Sequence, residues 1–174
     1  MWGSGHHVVM LQRNKSIDQV EGVYVLEMIG YAVDGQGTQA TPVRIPFLLN
    51  PSRVGDFILV VGNFRSGKIG ANFERSIRRY GEGLEYFSVN RMGGFFRDAV
   101  RSDHSSYWRA DMKAIMITDT ANFRNPHYHK QTDVVESLNF EFMEKVCQSV
   151  VASLLVEAGI VTGRQGQAHA ELKQ

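Results

Sequence analysis

The sequence predicts a layered α/β domain, and two kinds of pattern carry that prediction. Short runs of β-branched and aromatic residues predict strands, at residues 20–31, 57–61, 84–89 and 113–118. Apolar residues spaced three and four apart predict amphipathic helices, at residues 66–80 and 139–158. Because the two kinds of segment alternate along the chain, helices packed on a sheet are favoured over an all-helical or all-strand fold.

The strand at residues 20–31 is nearly all apolar, so we expect it to be buried on both faces of a parallel or mixed sheet. Residues 34–38 combine glycine with polar residues and predict a loop. Pro42, Pro46 and Pro51 predict an irregular stretch after that loop, since proline cannot donate to a sheet ladder.

The clearest helix is residues 139–158, with Asn139 as its N-cap and Gly159 just past its end. A shorter helix is predicted at residues 102–110, capped by Ser102. Residues 161–174 are polar and predict a flexible tail, so the domain is expected to cover residues 1–160.

Composition excludes several classes of protein. Nineteen Lys and Arg balance eighteen Asp and Glu, and a net charge of +1 gives no broad field for nucleic acid or an anionic membrane. One cysteine, Cys147, excludes an internal disulfide and a cysteine-based zinc finger. The sequence has neither an apolar run long enough to span a membrane nor a signal peptide, so it is expected to be cytoplasmic as given, or exported only with an upstream segment.

Two places attract attention as chemical sites. Glu27 stands inside an apolar strand, where a carboxylate is costly unless it is paired or bound to a metal; alternatively it marks the end of the strand and meets a basic group or solvent. His127 and His129 follow the strand at residues 113–118, at the kind of sheet edge where ligands gather. Asp133 is a possible hydrogen-bond acceptor for a metal-bound histidine there.

A third pattern concerns phosphate binding. Residues 62–68 fit the form G-x-x-x-x-G-K between a strand and a helix, which is the context of a nucleotide-binding P-loop. However, Ile69 stands where a magnesium-binding Ser or Thr belongs, and Phe64 is bulky. An ordinary strand-to-helix turn capped by Ser66 is therefore the favoured interpretation.

Five segments in this order resemble the zinc-dependent exopeptidases of metallopeptidase family twenty-eight, which includes bacterial aminopeptidases. They are Met1-Trp2-Gly3-Ser4, Leu26-Glu27-Met28-Ile29-Gly30-Tyr31, the stretch from Gly55-Asp56-Phe57 to Val61-Gly62-Asn63, Ser102-Asp103-His104-Ser105 through Trp108, and Thr118-Asp119-Thr120 through Asn125-Pro126-His127-Tyr128-His129 with Asp133. The resemblance implies a mixed, mostly parallel sheet with helices on both faces. It also implies that a metal-bound water cleaves N-terminal peptide bonds.

The resemblance also implies roles for individual residues. Glu27 corresponds to a carboxylate ligand of one zinc ion, and His129 to the histidine ligand of the other. Asp103 and His104 match a segment that supports the metal site or faces the substrate, and Tyr128 lies beside the ligand histidine. The expected cofactor is therefore a pair of zinc ions.

One departure from the family pattern is decisive for the expected activity. The family's His-x-Asp ligand motif and its Glu-Glu pair, which supplies the general base, are not found in this sequence. We therefore expect an N-terminally truncated domain that is inactive alone, with zinc absent or incomplete. We also expect self-association, or an upstream segment that completes the sheet. The alternatives are a non-catalytic binding module on the peptidase fold and a P-loop-like nucleotide binder.

Overall fold

The computed structural model describes residues 2–40 and 51–160, which form four helices and six strands. In chain order these are α1 (Trp2–Arg13), β1 (Val23–Leu26), β2 (Val33–Gln36), β3 (Val54–Gly55), β4 (Phe57–Gly62), α2 (Gly67–Tyr80), β5 (Glu85–Val89), α3 (His104–Arg109), β6 (Ala114–Thr118) and α4 (Phe140–Glu157). Short 3₁₀ turns connect them, among them Gly93–Phe95 and Ala121–Phe123. Within these residues, no helix combines the length and the apolar character needed to cross a membrane.

Four of the strands form one mixed sheet in the order β1-β6-β4-β5. The outer pairs, β1 with β6 and β4 with β5, are parallel, whereas the central pair β4 with β6 is antiparallel. The carboxyl ends of β1 and β6 therefore meet at one end of the sheet, with Leu26 opposite Ile117. The predicted mixed, mostly parallel sheet is confirmed.

Helices cover both faces of this sheet, as predicted. On one face Ile58, Val60, Ile115 and Ile117 pack against α2 and α4. On the other face α1 and α3 pack over β1 and β6, where Ala114 joins a cluster that includes residues of both helices. The alternation of side chains along each strand separates these two cores.

The two long helices agree closely with the sequence pattern. The stripe Ile69, Phe73 and Ile77 of α2 is buried, with Phe73 fully enclosed. The side chain of Asn139 caps α4 by accepting a 2.9 Å hydrogen bond from the Phe142 amide. Gly159 follows the helix with a positive φ of 70°, which glycine adopts at little cost.

Three local predictions are wrong. Residues 20–31 contain a strand of only four residues, and β1 is half-buried because β6 is its single neighbour in the described sheet. Residues 34–38 are not simply a loop, since β2 pairs with β3 in a small antiparallel ladder. Ser102 does not cap α3, because Asp103 occupies that position and the Ser102 hydroxyl donates to Glu27 instead. Pro42, Pro46 and the tail at residues 161–174 lie outside the described residues.

Candidate active site

An apolar cleft of about 450 Å³ lies on the sheet face opposite α2 and α4. Alternate residues of the three strands β4, β5 and β6 form its floor: Phe57, Leu59, Val61, Phe87, Val89, Met116 and Thr118. Its walls include Phe95, Phe96, Ser102 and Tyr128. A concave, mainly apolar space of this size with a few polar groups is typical of a site for a small molecule or a single side chain.

Glu27 lines this cleft, directly after the end of β1. Its amide donates to the Ile117 carbonyl at 2.9 Å, so the β1–β6 ladder continues up to it. Its carboxylate accepts a hydrogen bond from the Ser102 hydroxyl. Glu27 thus lies at the strand end and is half-buried, and among the described residues a neutral hydroxyl is the hydrogen-bond partner of its carboxylate.

Asp119 holds the loop that follows Glu27, and sequence reasoning assigned it no role. It is 1% exposed and accepts hydrogen bonds from the amides of Tyr31 (2.8 Å), Ala121 (2.9 Å) and Gly30 (3.2 Å). Burial raises the pKa of Asp119 to about 6, although these amides and the charge of Arg124 oppose the rise. The carboxylate therefore ties the chain after β1 to the chain after β6.

Arg124 extends this buried network to the cleft. It donates to the Gln39 side chain at 2.7 Å, to the Phe57 carbonyl at 2.7 Å and to the Tyr31 carbonyl at 3.2 Å. Its guanidinium also lies over the Phe57 ring, 4.7 Å from the centroid. Burial lowers the pKa of Arg124 to about 10, which leaves it charged at neutral pH. No local sequence pattern marks Arg124; its partners are far away in the sequence.

The segment after β6 places Tyr128 and His129 differently. Tyr128 lines the cleft, whereas the exposed His129 does not and stacks on the Tyr128 ring with centroids 4.1 Å apart. His127 bonds through Nδ1 to the Thr132 hydroxyl at 2.9 Å. Asp133 is exposed. The structure therefore brings Tyr128 and Glu27 to one cleft and leaves the His129 ring beside it.

Asp103 and His104 directly follow Ser102, which lines the cleft, but they are not part of the lining. Asp103 accepts a 2.7 Å hydrogen bond from Ser4 of α1, which joins α1 to α3. His104 is fully buried, and its Nε2 donates to the Ala99 carbonyl at 2.6 Å. Burial lowers the pKa of His104 and outweighs the Ala99 carbonyl and the charges of Glu27 and Asp103, which raise it. The ring is therefore neutral at neutral pH.

The predicted zinc ligands can be compared with what zinc requires. A catalytic zinc ion takes three protein ligands. Among residues 2–40 and 51–160, no group of three or more His, Cys, Asp or Glu side chains could hold a metal ion. These residues alone do not fit a complete catalytic zinc site, and the roles of Glu27 and His129 as ligands stay predictions.

In the turn at residues 62–68, the side chains of Asn63 and Ser66 form hydrogen bonds within the protein. Asn63 Oδ1 accepts from both the amide (2.9 Å) and the hydroxyl (2.7 Å) of Ser66. The buried Ser66 hydroxyl in turn accepts from the Ala114 amide at 3.0 Å. Because these groups bind one another, the segment is a strand-to-helix turn anchored to β6, and the nucleotide-binding alternative is not favoured. The predicted cap is wrong: Ser66 stands at the N-cap position of α2, but its hydroxyl donates to Asn63 and makes no capping hydrogen bond.

The α/β fold is similar to that of a solved aminopeptidase. Two crystal structures of the Legionella pneumophila aminopeptidase LapA are similar to it, each with a TM-score of 0.62 and 20% sequence identity. The similarity covers 88% of this chain and 34% and 35% of the LapA chains.

A protein similar in sequence is the uncharacterized protein YfbL of Escherichia coli (strain K12), 37% identical over 155 residues. The match covers 87% of this chain and 45% of YfbL, so the chain spans less than half the length of the proteins it matches. No protein-family model matches the sequence.

Proposed function

We propose a peptidase-like function for this chain: it provides the substrate-binding part of an aminopeptidase that removes N-terminal residues from peptides. The observation that carries the proposal is the likeness in fold to LapA, an aminopeptidase. The cleft that Glu27 lines supports it, because its apolar floor suits one side chain and Glu27 adds a carboxylate to the lining.

Three features of the chain prepare Glu27 to bind a cation. The β1–β6 ladder fixes its backbone, the Ser102 hydroxyl orients its carboxylate, and the Asp119 network fixes the loop that follows. A carboxylate held in this way can bind the ammonium group of a peptide N-terminus or a metal ion. Tyr128, also in the cleft, offers a hydroxyl to a bound peptide.

We further propose that this chain alone does not hydrolyse peptides. By the family resemblance, Glu27 and His129 would each hold one of two zinc ions, which polarise the scissile carbonyl and activate water. The remaining ligands and the general base would come from polypeptide that this sequence does not contain. The greater length of LapA and YfbL supports this proposal.

The test compares this chain with full-length YfbL on leucyl- and phenylalanyl-p-nitroanilide, with and without zinc. We expect hydrolysis by YfbL and none by this chain. Zinc binding measured by calorimetry gives a second readout, and we expect it to be weaker for this chain. Hydrolysis by this chain that Glu27→Ala abolishes would overturn the proposed incompleteness, and no hydrolysis by either protein would overturn the peptidase function.

Ligand binding by this chain is tested separately from hydrolysis. Trp108 packs beside the cleft floor, so its fluorescence can report a bound leucine amide. We expect Glu27→Gln to weaken binding at least tenfold, as lost charge-assisted bonds of about 1.5–3 kcal/mol require. Glu21→Gln, an exposed carboxylate near the other end of β1, is the matched control and should bind normally.

A further inference from the structure

One wall of the cleft carries charged side chains. This charged wall belongs to the stretch between β5 and α3, from which residues 95–99, 101 and 102 line the cleft. Arg97, Asp98 and Arg101 are all part of the lining and are exposed. The wall therefore contains two guanidinium groups and one carboxylate.

The single carboxylate of the charged wall is already paired. Arg101 donates through Nη1 to Asp98 Oδ1 at 3.3 Å, and the two form an i,i+3 ion pair. Within residues 2–40 and 51–160, the Arg97 side chain has neither a hydrogen bond nor an ion pair. Arg97 thus adds a positive charge to the cleft that no described residue neutralises.

The segment that joins two other lining residues adds no carboxylate either. Ala40 and Pro51 both line the cleft, and residues 41–50 connect them. These connecting residues, TPVRIPFLLN, include Arg44 and neither Asp nor Glu. The excess of positive charge in the wall therefore does not depend on where residues 41–50 lie.

The lining also contains a carboxylate without a cationic partner, that of Glu27. It accepts a hydrogen bond from the neutral Ser102 hydroxyl, and Ser102 belongs to the same wall as Arg97. In the part of the chain that the structure describes, no ion pair joins Glu27 to Arg97. Two opposite charges therefore line one cleft without neutralising each other.

Hydrogen bonds fix the backbone of the charged wall on either side of Arg97. The Ala99 amide donates to the Phe96 carbonyl at 3.0 Å, and the Ala99 carbonyl accepts from His104 Nε2 at 2.6 Å. Five residues separate Arg97 from Ser102. They span roughly 10–17 Å, at about 2 Å per residue in a 3₁₀ turn and about 3.4 Å in an extended chain. The distance along the wall from Arg97 to the residue that holds Glu27 is thus limited.

The floor of the cleft decides which kind of anion suits Arg97. Apart from Thr118, its side chains are apolar. An acidic side chain laid on this floor would lose its hydration without gaining a partner, whereas an apolar side chain gains from burial. A ligand with apolar side chains and a carboxylate at its end satisfies both the floor and Arg97.

We propose that the cleft binds apolar dipeptides as zwitterions, with Arg97 bound to the free C-terminal carboxylate. This inference rests on the proposed function, in which Glu27 binds the N-terminal ammonium group. Two residues span about 7 Å, and the long side chains of Glu27 and Arg97 close the remaining distance. The planar guanidinium matches a carboxylate in geometry and donates two parallel hydrogen bonds to it.

The test compares the binding of leucyl-leucine and leucyl-leucine amide to this chain by calorimetry at neutral pH. These two ligands differ in the terminal carboxylate. We expect the free acid to bind at least about fivefold more tightly, which is the contribution of one ion pair that is partly screened by water. Because salt screens such a pair, the preference should decrease between about 0.05 and 0.5 M salt.

Substitution assigns the preference to one residue. Arg97→Gln should bind the dipeptide and its amide equally, and Arg97→Lys should restore part of the preference because it restores the charge. Arg13→Gln is the matched control, since it makes the same change at an exposed residue of α1 outside the lining. Circular dichroism checks that each variant is folded.

Three results would overturn the role of Arg97. They are equal affinities of the native chain for the acid and the amide, a preference that survives Arg97→Gln, and a preference that Arg13→Gln removes. Because the whole chain is measured, a carboxylate from any other segment that neutralised Arg97 would also appear as equal affinities. The absence of binding by both ligands would overturn this inference together with the proposed role of Glu27.

Acetyl-leucyl-leucine distinguishes this inference from the proposed function, because it keeps the carboxylate and lacks the ammonium group. We expect it to bind more weakly than leucyl-leucine. If it binds equally well and Arg97→Gln weakens it, the carboxylate site stands and the proposed role of Glu27 fails. If leucyl-leucine amide binds as tightly as the free acid while acetylation weakens binding, the carboxylate site fails and the proposed role of Glu27 stands.

Discussion

The buried carboxylate of Asp119 should make the stability of this protein fall as pH rises. Its pKa is raised from 3.8 to about 6, mainly by burial. The native state therefore holds this proton more tightly than the unfolded state does. A group that binds protons more strongly in the native state stabilises the fold fully below the unfolded pKa, and this contribution is lost as pH rises through the folded pKa.

The size of the effect follows from the shift. The pKa of Asp119 is about 2 pH units higher in the native state than in the unfolded state. At roughly 1.4 kcal/mol per pH unit, this difference corresponds to about 3 kcal/mol of unfolding free energy. The free energy of unfolding should therefore decrease by about 3 kcal/mol on account of Asp119 between about pH 3 and pH 8. This contribution is large because the side chain is almost entirely enclosed.

The assay is urea unfolding of the native chain and of Asp119→Asn across this pH range. Asparagine cannot lose a proton, so the difference in unfolding free energy between the two proteins isolates the titration of Asp119. His104 has a pKa lowered by burial and gives the opposite slope below about pH 6.5, but it does so in both proteins. Parallel stability curves for the two proteins would refute the reasoning.

Two further substitutions test the packing around the site. Arg124→Met should lower the free energy of unfolding by about 3 kcal/mol or more, because it leaves Gln39 and the carbonyls of Tyr31 and Phe57 without their buried donor. A decrease below about 1 kcal/mol in urea unfolding would contradict that role. Phe73→Ala should lower the free energy of unfolding by about 3–5 kcal/mol, since the ring is fully buried and lies edge-on to Tyr24. Phe64→Ala, on an exposed loop, is its matched control and should change thermal stability little.

The sequence predicted the elements whose signal is local. The stripe of Ile69, Phe73 and Ile77 and the Asn139 cap depend only on spacing within one helix, and both are confirmed. Whether β1 is a central or an edge strand depends on its neighbours, which its own residues do not encode. Its apolar composition therefore predicted burial on both faces, and that was wrong.

The same distinction applies to the site. Glu27 was recognisable because a carboxylate beside an apolar run is costly wherever the rest of the chain lies. Asp119 and Arg124 were not recognisable in this way. Asp119 binds the amides of Gly30 and Tyr31, which are 89 and 88 residues away in sequence, and Arg124 reaches Gln39 across 85 residues. Such contacts exist only once β1 and β6 have paired.

The open strand edge and the cleft share one strand end. Leu26 points its backbone groups to the open side, and the next residue, Glu27, bonds to β6 and lines the cleft. In the described residues, the β1 end is therefore supported from the β6 side and by the loop that Asp119 holds. Any strand that pairs with Leu26 passes beside Glu27 and supports it from the other side.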